Sequence, residues 1–178
     1  MTAAQTSVTY PDIAFPGMVA DNGQTHRVGK RNAEASAEIA FGLAVVRDAT
    51  DKDGSVVLPH TSAAAAAPLL EGIVTSQHIY DPDLQLGDTG VKPGLIVYVA
   101  RRGRVYVTPE QAVAPGDAVR VRVVATGDEK KGAFRKDADS TDCVDISAFA
   151  QWRTTGSATK PAELEFDFLH AKSAVADT

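Results

Sequence analysis

Hydrophobic positions in this chain recur mostly at every second residue, and no long stretch keeps an apolar period near 3.6, so the pattern predicts β structure. The cleanest alternation lies near the C-terminus, where Leu164, Phe166 and Phe168 interleave with Glu163, Glu165 and Asp167. Val119, Val121 and Val123 likewise alternate with Arg120 and Arg122, as in a half-buried strand. Residues 95–100 are apolar on both alternating faces, which suits a central strand, and Val105 and Val107 then alternate with Arg104, Tyr106 and Thr108. Between these two runs, Arg101-Arg102-Gly103 is the expected hairpin turn, with Gly103 free to take positive φ. Upstream, residues 43–46 and 55–58 read as two strands joined by a polar loop. A further segment from Ile73 to Tyr80 is stopped by Asp81-Pro82-Asp83.

Helix is a minor expectation. Thr108-Pro109-Glu110-Gln111 has the form of a capping box and predicts a turn or two of helix before Pro115, and residues 63–67 could form one capped turn. The fold class expected is all-β: a compact β-sandwich or barrel, with a jelly roll among the options, an extended N-terminal arm and one or two short helical turns. Residues 1–20 form the arm, 21–169 a single β domain and 170–178 a flexible tail. Tyr10, Ile13, Phe15 and Met18 give the otherwise unpatterned arm the large apolar groups it needs to order against a neighbour.

The formal net charge of -5 over 178 residues argues against nucleic acid as a partner. No apolar run reaches the roughly 18 to 20 residues that cross a bilayer, and the N-terminus lacks the basic start and apolar core of a signal peptide. The expectation is therefore synthesis in the cytoplasm and no membrane partner. The acidic face of residues 163–167 is expected to neighbour Arg120 and Arg122.

Candidate chemistry is sparse. The histidines His26, His60, His78 and His170 lack zinc spacing. Asp137 to Asp142 begins like a calcium loop, but Asp142 stands where glycine is needed and Ala148 where the bidentate glutamate belongs. The single cysteine, Cys143, has no histidine brought near it in sequence and reads as a small buried hydrophobe. Nucleophile elbows, phosphate loops and dinucleotide fingerprints are lacking, so no catalytic residue, cofactor or metal is expected. Arg101, Arg102 and Arg104 form a dense basic cluster that could meet an acidic partner, although charged hairpin tips also serve simply to stay solvated. Trp152 is expected in the core.

A collinear series of segments resembles the structural cement, or capsid decoration, proteins of tailed bacteriophages. These are Phe15-Pro-Gly-Met-Val-Ala-Asp-Asn-Gly23, Ile39-Ala-Phe-Gly-Leu-Ala-Val-Val46, Leu70-Glu-Gly-Ile-Val74, Gly103-Arg-Val-Tyr-Val107 running into Glu110-Gln-Ala-Val-Ala-Pro-Gly-Asp117, and Gly132-Ala-Phe-Arg-Lys-Asp-Ala-Asp139, followed by the Trp152 region. The resemblance covers most of residues 10–168. It implies a small β-sandwich or barrel that binds the capsid exterior in the virion, with the major capsid protein and further copies of itself, as a homodimer or homotrimer, for partners. It carries over no catalytic residues. Residues expected at the partner contact are Tyr10, Ile13, Phe15, Met18, Arg101 and Arg102. A carbohydrate-binding or adhesion module is the competing expectation, but with aromatics at 6% of residues the supply of stacking platforms is thin.

Overall fold

A computed structural model describes residues 14–21, 23–60, 69–76, 89–125, 127–139 and 142–169. Its strands are β1 (His26–Asn32), β2 (Ile39–Ala40), β3 (Ala44–Arg47), β4 (Ser55–Val57), β5 (Leu70–Val74), β6 (Gly90–Val91), β7 (Ile96–Val107), β8 (Arg120–Arg122), β9 (Phe134–Arg135), β10 (Cys143–Asp145), β11 (Ala150–Trp152) and β12 (Ala162–Asp167). The expected all-β class holds, and of the two architectures foreseen the chain forms a barrel.

Five strands close the barrel in the order β1, β4, β3, β5, β7 and back to β1. Closure depends on β1, which runs antiparallel to β7 along most of its length and parallel to β4 at Arg31 and Asn32. One side chain in two along each strand must then point inward. Val45, Val56, Val74, Val97 and Val99 do so and cluster with Ile39 and Val91 from the small β2–β6 ladder. The opposite faces of β3, β4, β5 and β7 are also apolar, through Ala44, Val46, Val57, Ile73 and Ala100, because a second layer covers them. This explains why the sequence there reads as continuous apolar runs instead of alternation.

The second layer grows from the same long strand. From Arg102 to Val107, β7 pairs with β12, which pairs with β11, while β8, flanked by β9 and β10, forms a separate three-stranded sheet. Trp152, Phe134, Phe166, Phe168, Val121 and Ile146 fill the space between. Trp152 is core, as expected: it is 2% exposed, stands edge-on to Phe134, and donates its indole N–H to the Ala118 carbonyl at 3.0 Å.

Two local expectations fail. Arg101-Arg102-Gly103 is no hairpin turn, because β7 continues through it. The register against β1 slips between His26 and Arg27, so Arg101 is an extra residue on β7, and such a bulge bends a strand and re-aims its side chains. Gly103 does have positive φ, 128°, and a Cβ there would come within 2.5 Å of the Thr25 hydroxyl. The glycine is therefore required by the bend that carries β7 from barrel to second layer, not by a turn. The helical turn expected after Thr108 is also missing: Pro109 bridges to Phe134, and the Glu110 N–H donates to the Phe134 carbonyl at 2.8 Å. A long-range sheet contact has taken the backbone groups that the capping box would have used. Residues 63–67 lie outside the described residues. The segment from Ile73 forms the last part of β5, and residues 77–80 lie outside the described residues as well.

Candidate interaction surfaces

The residues expected to meet a partner are spread over several faces. Tyr10 and Ile13 lie outside the described residues. Phe15 is 43% exposed at the rim of a groove of about 890 Å³. Met18 is half-buried, and its segment is stitched to β7: Gly17 donates to the Tyr106 carbonyl at 2.7 Å, Tyr106 to that of Met18 at 2.8 Å, and Ala20 to that of Arg104 at 3.0 Å. The segment from Gly17 to Ala20 thus runs along β7, with Val19 in an isolated bridge to Val105. Arg101 and Arg102 point away from each other. Arg102 is exposed and 3.5 Å from Asp167, while Arg101 turns inward to the barrel.

Inside the barrel end Arg101 meets Glu71, whose carboxylate is fully buried. Arg47 Nε lies 2.7 Å from the same carboxylate and Lys30 Nζ 3.8 Å. The Lys30 ammonium also donates to the Asp53 carbonyl. Burying a lone carboxylate would cost several kcal/mol, so three cations converging on it are the condition for its presence. Glu71 sits where β5 slips in register against β3, which directs its side chain inward.

A second charged lock holds the three-stranded sheet. Arg122, 1% exposed, contacts Glu110 at 2.7 Å, Glu129 at 2.9 Å and Asp139 at 3.1 Å, and Arg135 reaches Asp139 at 2.8 Å and Glu110 at 3.4 Å. Hydrogen bonding to Glu110 raises the Arg122 pKa against the opposing effect of burial. Glu110, Arg122 and Arg135 form the polar side of the groove, and Phe15, Phe41 and Leu43 its apolar side. A guanidinium held by three carboxylates stays charged and cannot shuttle protons, so the cluster acts as a rivet between β8, β9 and the loops beside them. The incipient calcium loop is used the same way, through Asp139. Among the described residues, no group of three or more His, Cys, Asp or Glu side chains is placed to hold a metal.

The acidic face of β12 does not meet Arg120 and Arg122. Its partners are Arg102, Arg104 and Arg153, because β12 pairs with β7 and β11, whereas Arg120 pairs with Asp145 at 2.9 Å. Burial tends to raise the Asp145 pKa, but hydrogen bonds from Ser147 and the charge of Arg120 outweigh it and hold the group below its ordinary value. Burial pushes the Cys143 thiol up despite Arg122 and Arg135 nearby. Trp152 is buried, so its ring is no exposed platform for a sugar.

Sequence reasoning overlooked a second basic segment, Arg27, Lys30 and Arg31 on β1. The antiparallel register sets His26 opposite Arg102 and Arg31 opposite Ile96, so the basic segments of β1 and β7 share one ribbon. Its signal was the density of cations over residues 26–31.

A closed barrel fused to a small second sheet and riveted by buried ion pairs has the construction of a rigid structural module. Its fold resembles a chain of the solved capsid of Myoviridae Phage XM1, with a TM-score of 0.63 and 16% identity, covering 85% of this chain and 89% of that one. At that identity the likeness concerns the fold. The family model of the structural cement proteins (E217 gp24/Pam3 gp6) matches residues 4–167, and the chain belongs to this family. It is a capsid-stabilising structural protein of a bacteriophage. No curated protein matches it.

Proposed function

We propose that this protein binds the outer surface of the phage shell and holds neighbouring shell subunits together without catalysing a reaction, working as a homodimer or homotrimer. The observation that carries the reading is the family match across residues 4–167, which takes in both the barrel and the second layer. The physical case rests on rigidity and multiplicity. A clamp must transmit force without yielding, and the ion-pair rivets around Glu71 and Arg122 tie strands distant in sequence. Several modest contacts from one oligomer hold each other in place, since release of one leaves the others at high local concentration. Residues 1–13, which precede the part of the segment stitched to β7, contribute Tyr10 and Ile13 to attachment, with Phe15 at their root.

Quantitative mass spectrometry of purified virions tests this reading. The protein is expected in a large copy number in fixed ratio to the major shell protein. Absence from particles, or trace amounts that vary between preparations, would reject it. Deleting residues 1–13 is expected to weaken attachment while leaving the fold intact.

A further inference from the structure

Of the ten arginines in the chain, eight have a carboxylate within 4 Å: Arg47, Arg101, Arg102, Arg104, Arg120, Arg122, Arg135 and Arg153. Arg27 and Arg31 have no such contact among the described residues, although the charge of Arg31 is felt by the Asp51 carboxyl, and they lie on the same strand and the same face. β1 alternates, with Lys30 and Asn32 turned into the barrel and Arg27, Gly29 and Arg31 exposed outside it. Four residues of extended chain set the two guanidinium roots about 13 Å apart. Across the ladder, opposite Gly29 and Arg31, stand Tyr98, half-buried, and Ile96, 60% exposed, one of the few large apolar side chains that face solvent among the described residues.

Gly29 is a separate observation that points the same way. A glycine within a strand weakens it, and usually the backbone or the packing demands one. Gly103 meets both demands. Gly29 meets neither: its φ lies outside the left-handed region, and an added Cβ would make ordinary van der Waals contact, 3.6 Å from Ile96 and 3.8 Å from Tyr98. A bare backbone at the centre of an exposed face leaves room for the close approach of another chain.

We propose that the outer face of the β1–β7 ribbon, made of Arg27, Gly29, Arg31, Tyr98 and Ile96, is the docking surface for an acidic extended segment of the shell protein. This rests on the capsid-binding reading above and gives it a location and a partner chemistry. Complementarity selects the occupant. In a chain of net charge -5, the two arginines without a close carboxylate among the described residues stand on one face, so a carboxylate-bearing segment is attracted there more than elsewhere. The backbone of that segment crosses at Gly29, its carboxylates meet Arg27 and Arg31, and an apolar side chain rests on Ile96 and Tyr98.

The test is cosedimentation of the purified full-length chain with DNA-free shells of its phage that lack the cement protein. The variants are Arg27→Glu with Arg31→Glu, Gly29→Gln, and Lys160→Glu, which is exposed in the loop between β11 and β12, as a control. The double reversal is expected to weaken binding at least about 100-fold and Gly29→Gln at least about 10-fold, with wild-type affinity falling steeply as salt rises. All variants are expected to melt within a few degrees of wild type, since none of the altered side chains is buried. Wild-type binding with both β1 variants within threefold of it would overturn this surface and leave the capsid reading intact. A wild-type chain that does not sediment with shells would instead defeat the capsid reading. Equal retention of both β1 variants on duplex DNA and shells, or tighter wild-type binding to DNA than to shells, would overturn the acidic-peptide assignment.

Discussion

Replacing Glu71 by glutamine keeps the shape of the side chain and removes its charge. The carboxylate is fully buried and serves Lys30, Arg47 and Arg101 together. Without it three cations face one another at the barrel end. Arg47 and Arg101, 30% and 21% exposed, can relieve part of the repulsion by turning outward, whereas Lys30, at 7%, cannot. Breaking a buried pair costs about 3 to 5 kcal/mol, and the partial escape of the two arginines places Glu71→Gln at the lower end, near 3 kcal/mol. For a chain of this size that is a fall of about 6 to 12 °C in Tm. Urea unfolding followed by circular dichroism measures it. Adding Lys30→Met removes the cation that has nowhere to go, so the double variant is expected to regain about half the loss. A loss below about 1 kcal/mol, or no recovery in the double variant, would show that the cluster does not hold the barrel end in this way.

Other perturbations probe the remaining parts of the fold. Trp152→Phe leaves the Ala118 carbonyl without its donor and opens a void among Phe134 and its neighbours, so a loss of about 2 to 3 kcal/mol is expected by chemical denaturation. Gly103→Ala is expected to destabilise by more than about 2 kcal/mol, because its φ and the Thr25 contact both oppose a side chain, while Gly29→Ala should change stability by less than about 0.5 kcal/mol. The folded pKa of Asp145 lies below its ordinary 3.8, so its contribution is complete above that value and lost as pH falls through the folded pKa. The stability difference between wild type and Asp145→Asn, less than about 1 kcal/mol for so exposed a group, is therefore expected to be constant from neutral pH down to about 5 and to shrink below about 4. Cys143, half-buried and with its thiol pKa raised by burial, is expected to alkylate more slowly at pH 8 than a free cysteine peptide, as followed by mass shift.

What the sequence made legible is the part of the fold governed by alternation. Val119, Val121 and Val123 in and around β8 and the apolar positions of β12 are buried where period two places them, but the other face of β8 is not simply wetted, because Arg122 there is buried too. Trp152 could be assigned to the core on a different ground, since large aromatic side chains are usually buried. β1 was not legible, since two of its inward positions are Lys30 and Asn32, and a polar barrel interior erases the hydropathy signal. Glu71 answers Lys30, and the Asn32 amide donates to the Val91 carbonyl at 2.8 Å, but both partners are distant in sequence. Arg101-Arg102-Gly103 imitates a turn because bulges and turns recruit the same residues. Thr108-Pro109-Glu110-Gln111 imitates a helix start because local capping signals carry no information about Phe134. Among the candidate contact residues, Arg101 was chosen for charge alone, and the bulge that turns it inward could not be read from composition. Arg27 and Arg31, which lack a carboxylate within 4 Å among the described residues, stand out only after every other arginine has been seen beside its carboxylate.

The most direct test of the account is the heat stability of shells lacking this protein, measured by loss of intact particles on a temperature ramp, with and without the purified chain added back. Saturating addition is expected to raise the disruption temperature by several degrees and to level off at a fixed number of copies per shell. Shells that bind the protein and come apart at an unchanged temperature would contradict a cementing role.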